Sequence, residues 1–179
     1  MAYHLEFKNI TKTFPGVKAL DKISFGVNTG SIHGLVGENG AGKSTLLHTL
    51  SGALTPNQGE ILIENKTMKF SNTKDALNAG IAVIYQELNL VPEMTVAENL
   101  MIGNYPNKNG FVDKKKLKEK ALKQIKMLME NFNPKTKVKD LSIAQKQMIE
   151  IGKALMQDAK IIAFDEPTSS LSDREIKHL

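Results

Sequence analysis

The segment from Gly37 to Ser44 constrains this chain more than any other feature. Its eight residues, Gly-Glu-Asn-Gly-Ala-Gly-Lys-Ser, fit the pattern G-x-x-x-x-G-K-[ST] at every position. Glycines let backbone N–H groups surround phosphates, a lysine offers a cation, and a serine hydroxyl offers a ligand to Mg²⁺. The apolar run 32–36 predicts a strand before the loop, and 43–50 predicts a helix after it. The alternative is a glycine-rich turn that happens to precede a lysine, and a chance match is expected in roughly one such chain in a hundred.

A pair of carboxylates follows another apolar run further along the chain. Residues 161–164 predict a buried strand that ends at Asp165 and Glu166. In a chain with a phosphate loop, we expect Asp165 to hold Mg²⁺ through its water shell and Glu166 to polarise the attacking water. Strands often end in Asp before a turn, so this interpretation depends on the phosphate loop.

Hydrophobic periodicity predicts alternating strands and helices with a helical insert. Strands are predicted at 3–7, 60–63, 81–85 and 160–164, and a hairpin or strand pair over 23–36. Helices are predicted at 73–78, after Thr95 at 96–102, from Asp113 to 128, and from a capping box at Ser142 to 155. This order is typical of an α/β fold with an inserted helical lobe.

Composition narrows the class of protein. The chain has 179 residues, no Cys and a net charge of +5, so disulfide scaffolds and thiol chemistry are excluded. The sequence has neither an apolar run long enough to span a membrane nor a secretory signal at its start, which predicts a cytosolic location. With Arg174 as the single arginine and 6% aromatic residues, nucleic-acid binding is disfavoured.

Seven lysines crowd the helix predicted after Asp113: Lys114, Lys115, Lys116, Lys118, Lys120, Lys123 and Lys126. The ordinary explanation is a solvated helix face. The alternative is attraction to anionic lipid, at about 1 kcal/mol for each well-placed lysine.

The order of five segments resembles the ATP-binding cassette of ABC-type ATPases: Phe14, Gly37–Ser44, Gln86, Leu141–Gln145 and Asp165–Glu166. The resemblance covers essentially the whole chain. It implies a P-loop NTPase fold of the α/β class, with a mainly parallel sheet, an antiparallel β-subdomain and an inserted helical subdomain. The implied nucleotide-binding core is 1–87 with 141–179, and the implied helical subdomain is 88–140.

The resemblance also implies ATP and Mg²⁺ as ligands. The implied nucleotide-binding residues are Phe14, which would stack on adenine, Gly37, Glu38, Asn39, Gly40, Ala41, Gly42, Lys43, Ser44, Thr45, Ser142 and Gln145. The implied metal-binding residues are Ser44, Gln86 and Asp165, and the implied catalytic residues are Lys43, Gln86 and Glu166. Simpler alternatives are a core phenylalanine at Phe14, an ordinary exposed Gln86, and a plain capping box at Ser142 and Gln145.

Within the family, the chain is similar to cassettes of bacterial monosaccharide importers of the ribose, xylose, arabinose and galactose type. The segments that carry this similarity are Phe14–Leu20, Gln86–Leu90, Leu141–Gln145, Met148–Leu155 and Glu166–Leu171, with Ile143 and Ala144 where the common signature has two glycines. The similarity implies the first of two cassettes in one ATPase that couples hydrolysis to sugar uptake. Implied partners are a second cassette in a head-to-tail dimer, transmembrane permease subunits and, indirectly, a sugar-binding protein. The implied location is the inner face of the plasma membrane.

Two other functions stay open: a soluble ABC-type ATPase acting on ribosomes or DNA, and a non-catalytic nucleotide-binding fragment. The family's switch histidine lies about thirty residues beyond the position of Glu166. The chain ends at Leu179, His178 is too close to match it, and Ser172 stands where the family often has Asp. We therefore expect a C-terminally truncated cassette that binds nucleotide weakly and does not turn it over.

Overall fold

The computed structural model describes residues 3–128 and 132–166. The chain forms two compact units, Met1–Val83 and Ile84–Leu179. Its elements in order are β1 (Leu5–Phe14), β2 (Val17–Val27), α1 (Lys43–Leu50), β3 (Gln58–Ile63), β4 (Lys66–Met68), α2 (Thr73–Asn78), β5 (Ile81–Ile84), α3 (Val96–Leu100), β6 (Asn107–Lys108), β7 (Phe111–Val112), α4 (Lys114–Met127), a 3₁₀ helix (Val138–Asp140), α5 (Ile143–Met156) and β8 (Ile161–Phe164).

The first unit is built on a four-stranded antiparallel sheet with the order β2-β1-β3-β4. In the central strand, Phe7 pairs with Phe25 of β2 and with Ile61 of β3. Alternate residues of β1 are buried at its start, as the period of two predicts. The core of this unit combines Leu5, Phe7, Ile10, Leu20, Ile61 and Leu62 with Leu46, Leu47 and Leu50 of α1.

The prediction of a strand immediately before the phosphate loop is wrong. Residues 31–38 form neither helix nor strand, and Ile32 and Val36 are fully exposed. Residues 23–36 do not form the predicted hairpin. Instead β2, which ends at Val27, forms a hairpin with β1, and Val27 pairs with Leu5. A run of apolar residues becomes a strand only when a neighbour pairs with its backbone and covers its side chains. Within the described ranges no strand pairs with the backbone of 32–36, and the largest described sheet is antiparallel.

The second unit contains a helical core formed by α3, α4 and α5. Its buried side chains are Val96, Ala97, Leu100, Met101, Leu117, Ala121, Ile125, Val138, Leu141 and Ile149. Gly152 of α5 permits close packing, because a Cβ there would lie 2.9 Å from Leu128 and 3.0 Å from Leu100. The helix α5 thus packs with α3 and α4, the helices of the lobe predicted over 88–140.

Local capping explains where these helices begin. Thr95 and Glu98 form a capping box at the start of α3, in which Glu98 Oε2 accepts from the Thr95 N–H at 2.8 Å and from its hydroxyl at 2.7 Å. Asp113 accepts from the N–H groups of Lys115 and Lys116 at the start of α4. The predicted helices at 73–78, after Asp113 and after Ser142 are confirmed, and the helix after Thr95 is shorter than predicted.

A short hairpin, β6–β7, lies between α3 and α4 in the chain. Lys108 pairs with Phe111 across a turn made by Asn109 and Gly110, whose φ angles are 55° and 84°. Positive φ at both central residues is the geometry that Asn-Gly favours in a two-residue hairpin turn. Among the helices of residues 3–128 and 132–166, none is long and apolar enough to span a membrane.

Candidate functional site

The phosphate loop is an exposed turn that leads directly into α1. The N–H of Ala41 donates to the carbonyl of Glu38 at 3.1 Å, and Gly40 and Gly42 have φ of 85° and 89°. Gly42 is the N-cap residue of α1. A Cβ on Gly42 would collide with the carbonyl oxygen of Ala19, so both conformation and space require glycine there. Because glycine has no capping side chain, the N–H groups at the start of α1 suit an anion.

Lys43 lies over this loop. Its Nζ donates to the carbonyl oxygen of Gly37 at 2.8 Å and to that of Glu38 at 3.1 Å. Ser44, the next residue of the first turn, is exposed, and Thr45 is half-buried. The ammonium group therefore lies beside the backbone that the loop motif assigns to phosphates, with a hydroxyl adjacent to it in sequence.

Phe14 lies at the end of β1, next to the turn into β2. Its side chain is 37% exposed, so it does not belong to the core that was the simpler alternative for this residue. The Nζ of Lys12 lies 5.5 Å from the centre of its ring, within cation–π distance. Phe14 is a surface aromatic with a cation at its ring.

Gln86 is exposed in the bend that follows β5. Three residues later, the carbonyl of Asn89 accepts a hydrogen bond from Lys153 Nζ of α5 at 3.1 Å. The same Nζ lies 3.2 Å from Glu150 Oε1, and both side chains are largely buried. Our sequence prediction missed Lys153 as a residue that holds the segment after Gln86. The Glu-x-x-Lys spacing on one helix face was the available signal.

Ser142 and Gln145 form the capping box of α5. The Ser142 hydroxyl accepts from the Gln145 N–H at 3.2 Å, and the Gln145 side chain accepts from the Ser142 N–H at 3.0 Å. Ser142 is exposed, as is Ile143. This is the arrangement of the simpler alternative, and it leaves the helix N-terminus at the surface.

Asp165 and Glu166 follow β8. Asp165 is half-buried, and its N–H donates to the carbonyl of Ile84, two residues before Gln86, at 2.8 Å. Glu166 is exposed and has a φ of 51°, in the left-handed region. The predicted matches at 167–171, Ser172 and His178 lie outside the described residues.

The predicted site residues are thus divided between the two compact units. The first unit holds Phe14, Gly37, Glu38, Asn39, Gly40, Ala41, Gly42, Lys43, Ser44 and Thr45, and the second holds Gln86, Ser142, Gln145, Asp165 and Glu166. Within its unit, Lys43 contacts Gly37 and Glu38, and Ser142 contacts Gln145. The proposed Mg²⁺ donors are a hydroxyl, a side-chain amide and a carboxylate, which fit the preference of Mg²⁺ for oxygen ligands.

Comparison with known proteins identifies the family. The model of the ABC transporter family matches residues 20–169. The chain is 59% identical over 176 residues to the arabinose import ATP-binding protein AraG of Vibrio parahaemolyticus serotype O3:K6, covering 98% of this chain and 35% of that protein. It is 60% identical over 176 residues to AraG of Yersinia pestis, covering 98% and 34%. The chain spans about a third of the length of these curated relatives.

Solved structures share the fold. A nucleotide-free ATP-binding cassette from an ABC transporter is 32% identical, with a TM-score of 0.85 over 99% of this chain and 74% of that chain. A dimeric ATP-binding cassette in a post-hydrolysis state, bound to ADP and phosphate, is 27% identical, with a TM-score of 0.82 over 97% and 78%. These likenesses confirm the predicted cassette fold.

Proposed function

The chain belongs to the ABC transporter family, and from this premise we propose that it is the ATP-binding part of a sugar importer. The observation that carries the proposal is the phosphate loop, in which Gly42 has no room for a side chain and Lys43 Nζ lies 2.8 Å from the Gly37 carbonyl. Arabinose is the sugar we propose, because the relatives at 59% and 60% identity are named as arabinose import proteins.

In this proposal the nucleotide phosphates bind at the loop from Gly37 to Ser44. Lys43 exchanges its two carbonyl partners for phosphate oxygens, and the N–H groups at the start of α1 stabilise the same charge. Phe14 stacks on adenine. Thr45, in the same turn, completes the nucleotide contacts.

Ser44, Gln86 and Asp165 are the proposed Mg²⁺ ligands. Bound Mg²⁺ would neutralise charge on the transferred phosphate. Glu166 is the proposed group that orients and polarises the attacking water, since it is exposed beside Asp165 at the end of β8. From membership of the ABC transporter family, we also propose that residues 1–87 and 141–179 form the nucleotide-binding core and that residues 88–140 form a helical subdomain.

The proposed partners follow from the same premise. A second cassette would place its phosphates near Ser142 and Gln145, whose helix N-terminus is at the surface. The solved cassette structure that is dimeric and bound to ADP and phosphate supports pairing of two cassettes. Transmembrane permease subunits and a sugar-binding protein complete the proposed importer, which would act at the inner face of the plasma membrane.

The first experiment measures Mg-ATP binding to the purified chain by calorimetry. We expect binding by the unaltered chain and at least a tenfold weaker affinity for Lys43→Ala, because that variant loses a charge-assisted contact worth about 1.5–3 kcal/mol. Lys74→Ala is the matched control, since Lys74 is an exposed lysine of α2 outside the proposed site. Equal ATP affinity in the Lys43 and Lys74 variants would contradict the proposed site.

A second experiment addresses the sugar. The whole protein that contains this chain is assembled with its permease subunits in membrane vesicles, and uptake of labelled arabinose, ribose, xylose and galactose is compared. We expect ATP-dependent uptake with arabinose preferred. Uptake of another sugar in its place would overturn the assignment of arabinose and leave the ATP site standing.

A further inference from the structure

The hairpin β6–β7 exposes apolar side chains to solvent. Phe111 is 80% exposed and Val112 is 47% exposed, although both lie in a paired strand. Such side chains contribute little to the core and leave apolar surface in water. Helix α4, which begins after Asp113, adds exposed Leu122 and Met127.

The same region carries a concentrated positive charge. All seven lysines of α4 are exposed, whereas Leu117, Ala121 and Ile125 of that helix are buried. Glu119 is the single acidic residue within α4. Lys115, Lys123 and Lys126 lie within about 80° of one another around the helix, on the side opposite the buried residues, and Glu119 lies on that same side.

Asp113 links the residue before the hairpin to the start of α4. Its N–H donates to the carbonyl of Pro106 at 2.7 Å, and its Oδ1 accepts from the N–H groups of Lys115 and Lys116. The hydrogen bond from the Lys116 N–H is the main cause that lowers the pKa of Asp113, and the positive charges of Lys116 and Lys108 lower it further. Lys108 of the hairpin and Lys116 of the helix therefore lie near the same carboxylate.

We propose that this surface, composed of Lys108, Phe111 and Val112 with Lys115, Lys116, Lys123 and Lys126 of α4, binds the surface of an anionic phospholipid bilayer. We call it the hairpin–α4 surface. Lysines bring their ammonium groups to lipid phosphates while their stems lie along apolar material, and an exposed aromatic ring favours the boundary between headgroups and acyl chains. The combination of charge and apolar side chains is what such an interface requires.

A bilayer fits this surface better than a nucleic acid does. The chain has a single arginine, Arg174, and arginine is the side chain that most often contacts bases. Phe111 is the aromatic side chain of the hairpin–α4 surface, whereas single-stranded nucleic acids bind to several stacking aromatics in a groove. The proposed interaction uses none of the residues proposed for the nucleotide site and needs no ATP.

The test is flotation of the purified chain with vesicles, in the absence of nucleotide and at low ionic strength. One set contains phosphatidylcholine with about 30 mol% phosphatidylglycerol, and the other contains phosphatidylcholine alone. We expect flotation with the anionic vesicles, none with the neutral ones, and a steep loss of binding as salt is added.

Two variants separate the two kinds of contact. The triple variant Lys115→Gln, Lys123→Gln, Lys126→Gln is expected to lower the partition constant about fivefold for each lysine. Phe111→Ser is expected to weaken binding while its circular dichroism stays unchanged, because Phe111 is 80% exposed. The matched control is Lys66→Gln, Lys69→Gln, Lys74→Gln, three exposed lysines of the first unit, and it is expected to bind as the unaltered chain does.

Three results would overturn the proposal. Equal flotation with neutral vesicles would show that charge has no part in binding. An equal loss of vesicle binding in the control triple variant would show that binding depends on the net charge of the chain and not on the hairpin–α4 surface. Stronger binding to a DNA or RNA duplex than to anionic vesicles, unaffected by Phe111→Ser, would assign the surface to nucleic acid.

Discussion

At the scale of single residues, Lys153 contributes to the stability of the fold through two contacts that its place in the sequence does not indicate. Its Nζ contacts Glu150 and the carbonyl of Asn89, and its side chain is 15% exposed against 12% for Glu150. A charge buried to this degree is stabilised by its partner, and removal of one member leaves the other unpaired. The pair therefore fixes the segment after Gln86 against α5.

We predict that Lys153→Met lowers the free energy of unfolding by about 2 kcal/mol. The double variant Glu150→Met, Lys153→Met is expected to recover part of this loss, because it removes both charges. Urea unfolding at neutral pH measures all of these values. The control is Lys18→Met, which breaks an exposed pair of the same spacing, Lys18 with Asp21, and is expected to change stability by less than about 0.5 kcal/mol. A double variant less stable than Lys153→Met would contradict this account.

At the scale of elements, capping residues account for much of what the sequence predicted correctly. Asp113 and Ser142 each cap a helix at the predicted place, and Asn72 caps the helix predicted at 73–78. Each of the three accepts hydrogen bonds from N–H groups that the helix cannot satisfy itself. The hairpin β6–β7 was missed, because two paired residues on each side are too few to give a periodic pattern.

Helix α3 is expected to make stability depend on pH. The hydrogen bond from the Thr95 backbone N–H lowers the pKa of Glu98 below its usual 4.5, and the weaker effect of the Thr95 hydroxyl acts in the same direction. A carboxyl whose pKa is lower in the folded chain stabilises the fold above pH 4.5, and this contribution is lost as the pH falls through the folded value. Glu98→Gln keeps the capping geometry and is expected to remove that part of the loss of stability on acidification.

The measurement is chemical unfolding at a series of pH values between about 3 and 7. Glu119→Gln, an exposed substitution on α4, serves as the control. Thr95→Ala is expected to cost about 1 kcal/mol at neutral pH, because α3 loses its N-cap. Identical pH profiles for Glu98→Gln and the unaltered chain would rule out Glu98 as the titrating group.

At the scale of the whole molecule, the sequence predicted the family, the α/β class and the loop, but not the state of residues 32–36. Motifs such as Gly37–Ser44 are local, so spacing alone identifies them. A strand in a sheet depends on neighbours far away in sequence, which the apolar run at 32–36 cannot specify by itself. For the same reason, no spacing rule predicted that the site residues fall into two compact units.

The exposed apolar segment is expected to promote association between copies of the chain. Ile32 and Val36 are fully exposed, and an unpaired apolar segment is a template for strand pairing. Val36→Lys is expected to lower the mass measured by light scattering at high protein concentration. Val17→Lys, on a valine that is 61% exposed but already lies in β2, is the control. Unchanged scattering from Val36→Lys would show that the segment does not drive association.

The turn of the hairpin β6–β7 also contains a sequence that favours deamidation. An exposed Asn followed by Gly is prone to deamidation, and Asn109–Gly110 has that sequence at the tip of the hairpin. Each such event replaces a neutral amide with a carboxylate two residues from Phe111 and next to Lys108. Because charge-changing modifications act through ordinary electrostatics, we expect deamidation of Asn109 to make the hairpin–α4 surface less basic.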